Sequence, residues 1–217
     1  MASTIKKILG YTLIYSFMAT CSGTCSYTIA YNLLPENRAI EYTASRKQIE
    51  GLVKLVETPK ESFDVIDKIF KIKFTRDHDE VNFTRDRWCS LIETYSLGTG
   101  DCDDGAIAFS AMLSDKPQYK TWFVWLLPPE KSGYSGHAIA IFKDGNKYGY
   151  ASFNHLGFLK NYNVFKPAEY NSIDELISNF YSGDYEKYSL IKFNEEDLKF
   201  GRALQKNYKD LEWKIIK

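Results

Sequence analysis

The sequence predicts an α+β domain in which helices come first and an antiparallel sheet follows. Residues 43–57 carry apolar side chains at helical spacing. Thr121–Leu127 is β-rich and apolar on both faces, which is typical of a central strand. Asp144-Gly145-Asn146 is a hairpin signal between two strand-like runs. Because helices and strands do not alternate, a βαβ fold is not expected.

The N-terminal half is predicted to be helical, apart from a polar loop at residues 75–81. The second helix has the clearest start signal, a capping box at Thr58 and Glu61 with Pro59 at the first helical position. The glycine-rich run 96–101 ends the third helix. The predicted helices are 43–57, 59 to about 73, 85–95 with Trp88 inside, and one that begins at Cys102.

The C-terminal half is predicted to form the sheet, with a loop at residues 128–136. A further capping box at Ser172 and Glu175 starts a helix that runs through Phe180. The remaining predicted elements are strands at 137–142 and 148–154, an edge strand at 188–193, a helix capped by Asn194 to about Tyr208, and a short strand or tail at 211–216.

The length and the net charge of the chain limit the classes of function that are expected. The 217 residues suffice for one domain or one domain with an appendage. Lys and Arg total 28 and Asp and Glu also total 28, so no general attraction to nucleic acid or to an anionic membrane is indicated. Four cysteines are too few for a disulfide framework in a chain of this length.

The first 35 residues are predicted to be a signal peptide or membrane anchor, with the domain proper at 36–217. Lys6 and Lys7 precede residues 8–34, which contain no charged residue. Such a run resembles a secretory signal and is also long enough to span a bilayer, which takes about 20 residues. A helix packed on the domain is the third alternative. The first two readings place the domain outside the cytoplasm, secreted or attached to the membrane.

Cys102 is the predicted nucleophile. It stands at a predicted helix start after Gly98 and Gly100, where a sharp turn and close approach to a substrate are feasible. A helix N-terminus lowers the pKa of a thiol, but neighbouring aspartates raise it. Cys102 therefore needs an imidazolium nearby. The alternative for Cys102 is a disulfide with Cys89.

His137 is the predicted base among three histidines. It follows Gly136 at the start of a strand, whereas His78 lies in an acidic loop. His155 lies past a strand end and is the less favoured candidate. The returning strand would bring Asn154 level with His137, where an amide oxygen can accept the Nδ1–H and orient the ring. Ser152 is the alternative third residue.

These residues together resemble the transglutaminase-like superfamily and, within it, the bacterial transglutaminase-like cysteine proteinases. The resemblance rests on Gly100-Asp101-Cys102-Asp103-Asp104, on Gly136-His137-Ala138, and on a strand ending in Asn154. Trp88 upstream also fits the pattern. The resemblance covers residues 85–154, about a third of the chain. The family more often has Asp at the third position.

The resemblance implies a papain-like fold, with a helix bearing the Cys packed on an antiparallel sheet bearing the His. It implies acyl transfer through a thioester, on amide bonds of a protein or peptide substrate, by a Cys102-His137-Asn154 triad. No cofactor or metal is expected. Some relatives bind calcium through acidic residues near the site, but a solvated acidic face is the favoured interpretation here for Asp101, Asp103, Asp104, Asp77, Asp79 and Glu80.

Two other functions remain open at this point. One alternative is a transamidating enzyme, which passes the acyl group to an amine. The other is a catalytically inactive binding module that keeps the groove of the fold. A metal site formed by Cys102, His137 and the aspartates is a weaker alternative. No nucleic-acid partner is expected, and membrane attachment would run through residues 8–34.

Overall fold

The structure is a computed structural model that describes residues 44–72, 87–98, 100–131, 136–156, 159–161, 163–180, 185–201, 204 and 211–216. The chain divides into two units, Met1–Ala39 and Ile40–Lys217, and every described residue lies in the second. The predicted signal or anchor at 1–35 lies outside the described residues. Within the described part, no helix is long and apolar enough to cross a membrane.

The described part is an α+β domain, as predicted. Its helices are α1 (Arg46–Leu55), α2 (Pro59–Ile72), α3 (Leu91–Leu97), α4 (Cys102–Leu113), α5 (Ile173–Phe180) and α6 (Glu195–Phe200). Its strands are β1 (Tyr119–Leu127), β2 (His137–Asp144), β3 (Lys147–Ser152), β4 (His155–Leu156), β5 (Leu159–Asn161), β6 (Val164–Tyr170), β7 (Lys187–Ile191) and β8 (Lys214–Ile215).

Six strands form one antiparallel sheet in the order β6-β3-β2-β1-β7-β8, while β4 and β5 pair separately. The apolar run at 121–127 belongs to β1, which pairs with β2 on one side and β7 on the other. The prediction of a central strand is therefore confirmed. Gly145 adopts φ 57° in the β2–β3 hairpin, the left-handed conformation that glycine favours.

The third helix differs from its prediction. It begins at Leu91 and not near Arg85, so Trp88 precedes it in extended chain. The reason is a capping box that the apolar pattern concealed: the Glu93 carboxylate accepts the N–H of Ser90 at 3.0 Å. Trp88 is fully buried against Phe123 and Trp125, which hold the segment before the helix in place.

Three other predictions about helices and strands were wrong. Strand β3 ends at Ser152, two residues before its predicted end. Strand β7 is not an edge strand, because β8 pairs with it. The helix capped by Asn194 ends at Phe200 and not near Tyr208. Strand β6 was not predicted, because Pro167 within it argues against a strand in the sequence. It is an edge strand, where a sheet tolerates proline.

Helices cover both faces of the sheet. On one face, Phe142 packs against Phe109 of α4, with ring centroids 5.8 Å apart. On the other face, the buried cluster joins strand residues to α5; it comprises Val124, Leu126, Ile139, Ile141, Tyr150, Leu176, Ile177 and Tyr188. Because side chains alternate along a strand, Ile139 and Ile141 must face away from α4 when Phe142 faces it.

Candidate functional site

The start of α4 positions Cys102. Helix α3 ends at Gly98, whose φ of 64° reverses the chain direction. Asp101 is the extended N-cap residue, and Cys102 is the first residue of α4. Cys102 is half-buried, whereas Asp103–Leu113 are all buried. The prediction of a cysteine at a helix start is confirmed, and Cys102 keeps part of its surface exposed, unlike the rest of α4.

Asp104 locks the helix start in place. Its Oδ1 accepts the N–H of Cys89 at 2.7 Å, and its Oδ2 accepts the N–H of Asp101 at 3.3 Å. This carboxylate therefore ties the extended segment before α3 to the first turn of α4. The sequence showed Asp104 as one of several acids near Cys102 and did not distinguish this structural role.

Asp103 is buried beside the thiol. It is only 1% exposed, and its Oδ1 lies 3.9 Å from Cys102 Sγ. Burial, and then the nearby Asp101, Asp104 and Cys102, raise the pKa of Asp103 well above its usual value. This direction favours the neutral form of the Asp103 carboxyl, which carries no charge beside a thiolate.

The interpretation of a solvated acidic face is wrong for Asp103 and Asp104, which are in the interior. Asp77, Asp79 and Glu80 lie outside the described residues. Cys102, Asp101 and Asp103 each offer one ligand atom, and these atoms lie within 4.8 Å of one another. Calcium takes six to eight oxygen ligands. Among the described residues this group offers two carboxylates and a thiol, and Asp104 is occupied by backbone N–H groups. The group does not fit a calcium site, and no chemical step is derived through a metal.

Cys89 and Cys102 are both free thiols. Cys89 is fully buried, and its Sγ lies 3.7 Å from the carbonyl oxygen of Arg87. The disulfide that was the alternative reading of the two cysteines is therefore not formed in this structure.

His137 lies on the opposite face of the sheet from α4. It pairs with Leu126 in register and is two residues before Ile139, and both of these belong to the cluster against α5. Its ring stacks on Phe180 and Tyr185 at 6.2 and 6.4 Å between centroids. Its Nε2 is hydrogen-bonded to Ser152 Oγ at 2.9 Å.

The imidazole of His137 is therefore surrounded by aromatic side chains and a hydroxyl. Burial lowers its pKa to about 4, so the ring is neutral at pH 7. The described contacts of His137 include neither Cys102 nor Asn154. The structure does not bring together the thiol and the predicted base, and the residue bonded to His137 is the alternative candidate Ser152.

Asn154 lies just beyond β3 and is half-buried. Its backbone N–H donates to Asn163 Oδ1 at 3.1 Å, and Asn163 Nδ2 donates to Asp67 Oδ1 of α2 at 2.9 Å. Ile139 pairs with Ser152, so continuing that register places Asn154 opposite His137. The sequence predicted this proximity along the strands, but β3 ends before reaching it.

No protein-family model matches this chain, and no curated protein matches it. The function must therefore be argued from the site itself.

The arrangement combines a half-buried cysteine with the N-terminus of a helix. The first N–H groups of an α-helix have no partner within the helix and carry a partial positive charge. They can stabilise both a thiolate and an oxyanion that forms on an attacked carbonyl. The residues that sequence reasoning missed are Asp104, which fixes this helix start, and Asn163 with Asp67, which anchor the chain after β3. Polar side chains spaced far apart in sequence give no signal of such contacts.

Proposed function

We propose that the protein catalyses thiol-dependent acyl transfer on amide bonds of a protein or peptide, with Cys102 as nucleophile. The observation that carries the proposal is the half-buried thiol at the first residue of α4, in a helix that is otherwise buried. A papain-like arrangement of helix and antiparallel sheet is part of the same proposal. The acyl group passes to water in a hydrolase and to an amine in a transamidating enzyme.

The reaction follows from the chemistry of a thiol at that position. A base takes the Cys102 proton, and the thiolate attacks the amide carbonyl. Backbone N–H groups of the first turn of α4 hold the oxyanion. The protonated base then gives its proton to the leaving amine, and a thioester remains. Water or a second amine attacks the thioester and frees Cys102, whose thiolate recovers a proton.

A peptide carrying an electrophilic ketone tests this proposal, because it alkylates an active thiol only after binding beside it. We expect labelling of the full chain at pH 7 on Cys102, complete loss in Cys102→Ala, and retention in Cys89→Ala, the other free and fully buried thiol. Site assignment by mass spectrometry gives the readout. Equal labelling of Cys102→Ala, or no labelling of any variant, would contradict the proposal.

A second candidate function is a binding module without catalysis. It is favoured by the position of His137, whose ring is bonded to Ser152 and stacked on α5. Such a module would bind a peptide with equal affinity in wild type and Cys102→Ala and would not react with the electrophilic probe. Titration calorimetry of both forms against an unreactive version of the same peptide separates the two functions.

A further inference from the structure

The face of the sheet that carries α5 has a row of polar and aromatic side chains at the end of the strands away from His137. Lys120 of β1 pairs with Lys143 of β2, and Lys143 pairs with Tyr148 of β3. Directly paired residues share a face, so these three side chains stand side by side. Tyr148 packs against the cluster on the α5 side, which places the whole row on that face.

The neighbouring row adds a second aromatic ring and a third lysine. Trp122 is two residues after Lys120 in β1 and packs against the same cluster, with its ring centroid 6.0 Å from that of Tyr148. Lys192 Nζ lies 6.0 Å from the centre of the Trp122 ring. Lys143 Nζ lies 5.6 Å from the centre of the Tyr148 ring. We call this surface the lysine–aromatic patch; it comprises Lys120, Trp122, Lys143, Tyr148 and Lys192.

The positive charge of the patch is not balanced by ion pairs. None of its lysines lies within ion-pair distance of a carboxylate in the part of the chain that the structure describes. Lys120 and Lys143 stand directly opposite each other, and like charges in that arrangement destabilise a sheet. In the first turn of α5, Asp174 accepts the O–H of Tyr188, and Glu175 accepts a backbone N–H before the helix.

We propose that the lysine–aromatic patch binds an acidic peptide segment of a partner protein. The carboxylates of the segment lie beside the lysines and offset the repulsion between Lys120 and Lys143. An apolar side chain of the segment packs on Trp122, which is only half-buried in this structure. The patch is on the opposite face of the sheet from α4, so this binding does not depend on the proposed acyl transfer.

Charge favours an acidic peptide over a nucleic acid as the partner. The affinity of a protein for a nucleic acid grows with the number of phosphates that its Lys and Arg neutralise. The patch offers three lysines, in a chain whose 28 Lys and Arg are balanced by 28 Asp and Glu. A long row of phosphates therefore gains little beyond the patch, whereas a short acidic segment needs only these lysines.

Fluorescence anisotropy of a labelled peptide of alternating aspartate and leucine, titrated with the full chain at pH 7, tests the proposal. We expect saturable binding that weakens as salt is added, because salt screens charges at a surface. Lys120→Gln and Lys143→Gln should each weaken binding about two- to fivefold, the range of exposed ion pairs. A peptide of alternating aspartate and serine should bind more weakly, because it has no apolar side chain to pack on Trp122.

Lys54→Gln is the matched control. Lys54 is an exposed lysine in the last turn of α1, and α1 packs on α4, which covers the other face of the sheet. This variant removes the same charge and should bind the aspartate–leucine peptide as wild type does. Equal weakening by Lys54→Gln and Lys143→Gln would overturn the inference. Tighter binding of oligothymidylate than of the peptide, or no binding of the peptide, would also overturn it.

Reversal of the charge separates lost binding from lost folding. The double variant Lys120→Glu, Lys143→Glu should lose the aspartate–leucine peptide and gain binding of a peptide of alternating lysine and leucine. A gain of binding requires a folded patch, which far-ultraviolet circular dichroism checks separately. A folded double variant that still binds the aspartate–leucine peptide as wild type does would show that the patch is not the binding surface.

Discussion

At the scale of single residues, the two acids that follow Cys102 in sequence have different roles. Asp104 accepts the backbone N–H groups of Cys89 and Asp101 and so joins the segment before α3 to the start of α4. Asp103 has a buried Oδ2 with no hydrogen-bond partner in the described part of the chain. Burial and neighbouring acids favour its neutral form. The Asp104 side chain thus stabilises the helix start, while burial and neighbouring acids raise the pKa of Asp103 beside the thiol.

His137 makes the stability of the fold depend on pH. Its pKa is lowered to about 4 by burial, while an unfolded His has a pKa near 6.5. Between these values the unfolded chain binds a proton that the folded chain does not, so stability falls as the pH falls from 6.5 to 4. Over this range the free energy of unfolding falls by about 3 kcal/mol because of His137, and this loss does not grow further below pH 4.

The measurement is urea unfolding of wild type and His137→Gln at pH 7 and pH 4.5. We expect His137→Gln to be less stable at pH 7, because it loses packing against Phe180 and Tyr185. The deficit should shrink or reverse at pH 4.5. Taking the difference between the proteins cancels the carboxylates that also titrate in this range. A deficit that is constant with pH would contradict the prediction.

At the scale of elements, small residues line the contact between α4 and the sheet. Ala138 and Ala140 of β2 share the face of Phe142, and Gly105 of α4 contacts Phe153 directly. Small side chains on both partners allow this close approach. Since the catalytic thiol is proposed for the first residue of α4, the contact between Gly105 and Phe153 also helps to fix the position of Cys102 on this face of the sheet.

Gly105→Ala should destabilise the protein by about 1–3 kcal/mol, because its new methyl group would lie 2.6 Å from the Phe153 ring. The control is Gly51→Ala in α1, where nothing lies within 4 Å. Alanine is favoured over glycine inside a helix, so Gly51→Ala should stabilise by roughly 0.5–1 kcal/mol. Thermal unfolding of both variants checks the pair. Equal shifts of the two would mean that α4 and Phe153 are not in contact.

Much of the element order could be predicted from local signals. Pro59 and Glu61 marked the start of α2, and Asp144 to Asn146 marked the β2–β3 hairpin. These signals are local because helix caps and tight turns depend on neighbouring residues. The predicted start of α3 was wrong because the capping box at Ser90 and Glu93 sets the start at Leu91, while Trp88 before it is buried against β1.

The site could be predicted only in part, for a reason that belongs to the whole molecule. Cys102 at a helix start is a local feature, and the structure has it. Which face of the sheet His137 occupies depends on the register of β2 with β1 and on which helix covers each face. A shift of the β2 register by one residue would move each of its side chains to the other face of the sheet. No residue near His137 in the sequence determines that register.

At the scale of the molecule, the sheet separates two environments. On one face Cys102, Gly105 and Phe153 lie with α2 and α4, and on the other His137 and Tyr150 lie with α5. Shortening Phe180 on α5 should therefore affect only the second environment. In Phe180→Ala water reaches the His137 ring, and its pKa should rise from about 4 toward the ordinary value near 6.5.

In the same variant, the pH midpoint of Cys102 alkylation should not change. Histidine ring titration and site-resolved alkylation, both on the full chain, report the two faces independently. The variant also loses the edge-to-face contact between Phe180 and Tyr150, whose ring centroids are 4.8 Å apart, so we expect a lower unfolding temperature. Both measurements should be made well below that temperature. A Cys102 midpoint that follows the pKa of His137 would show that the thiol and this imidazole are coupled across the sheet, and the separation argued here would be wrong.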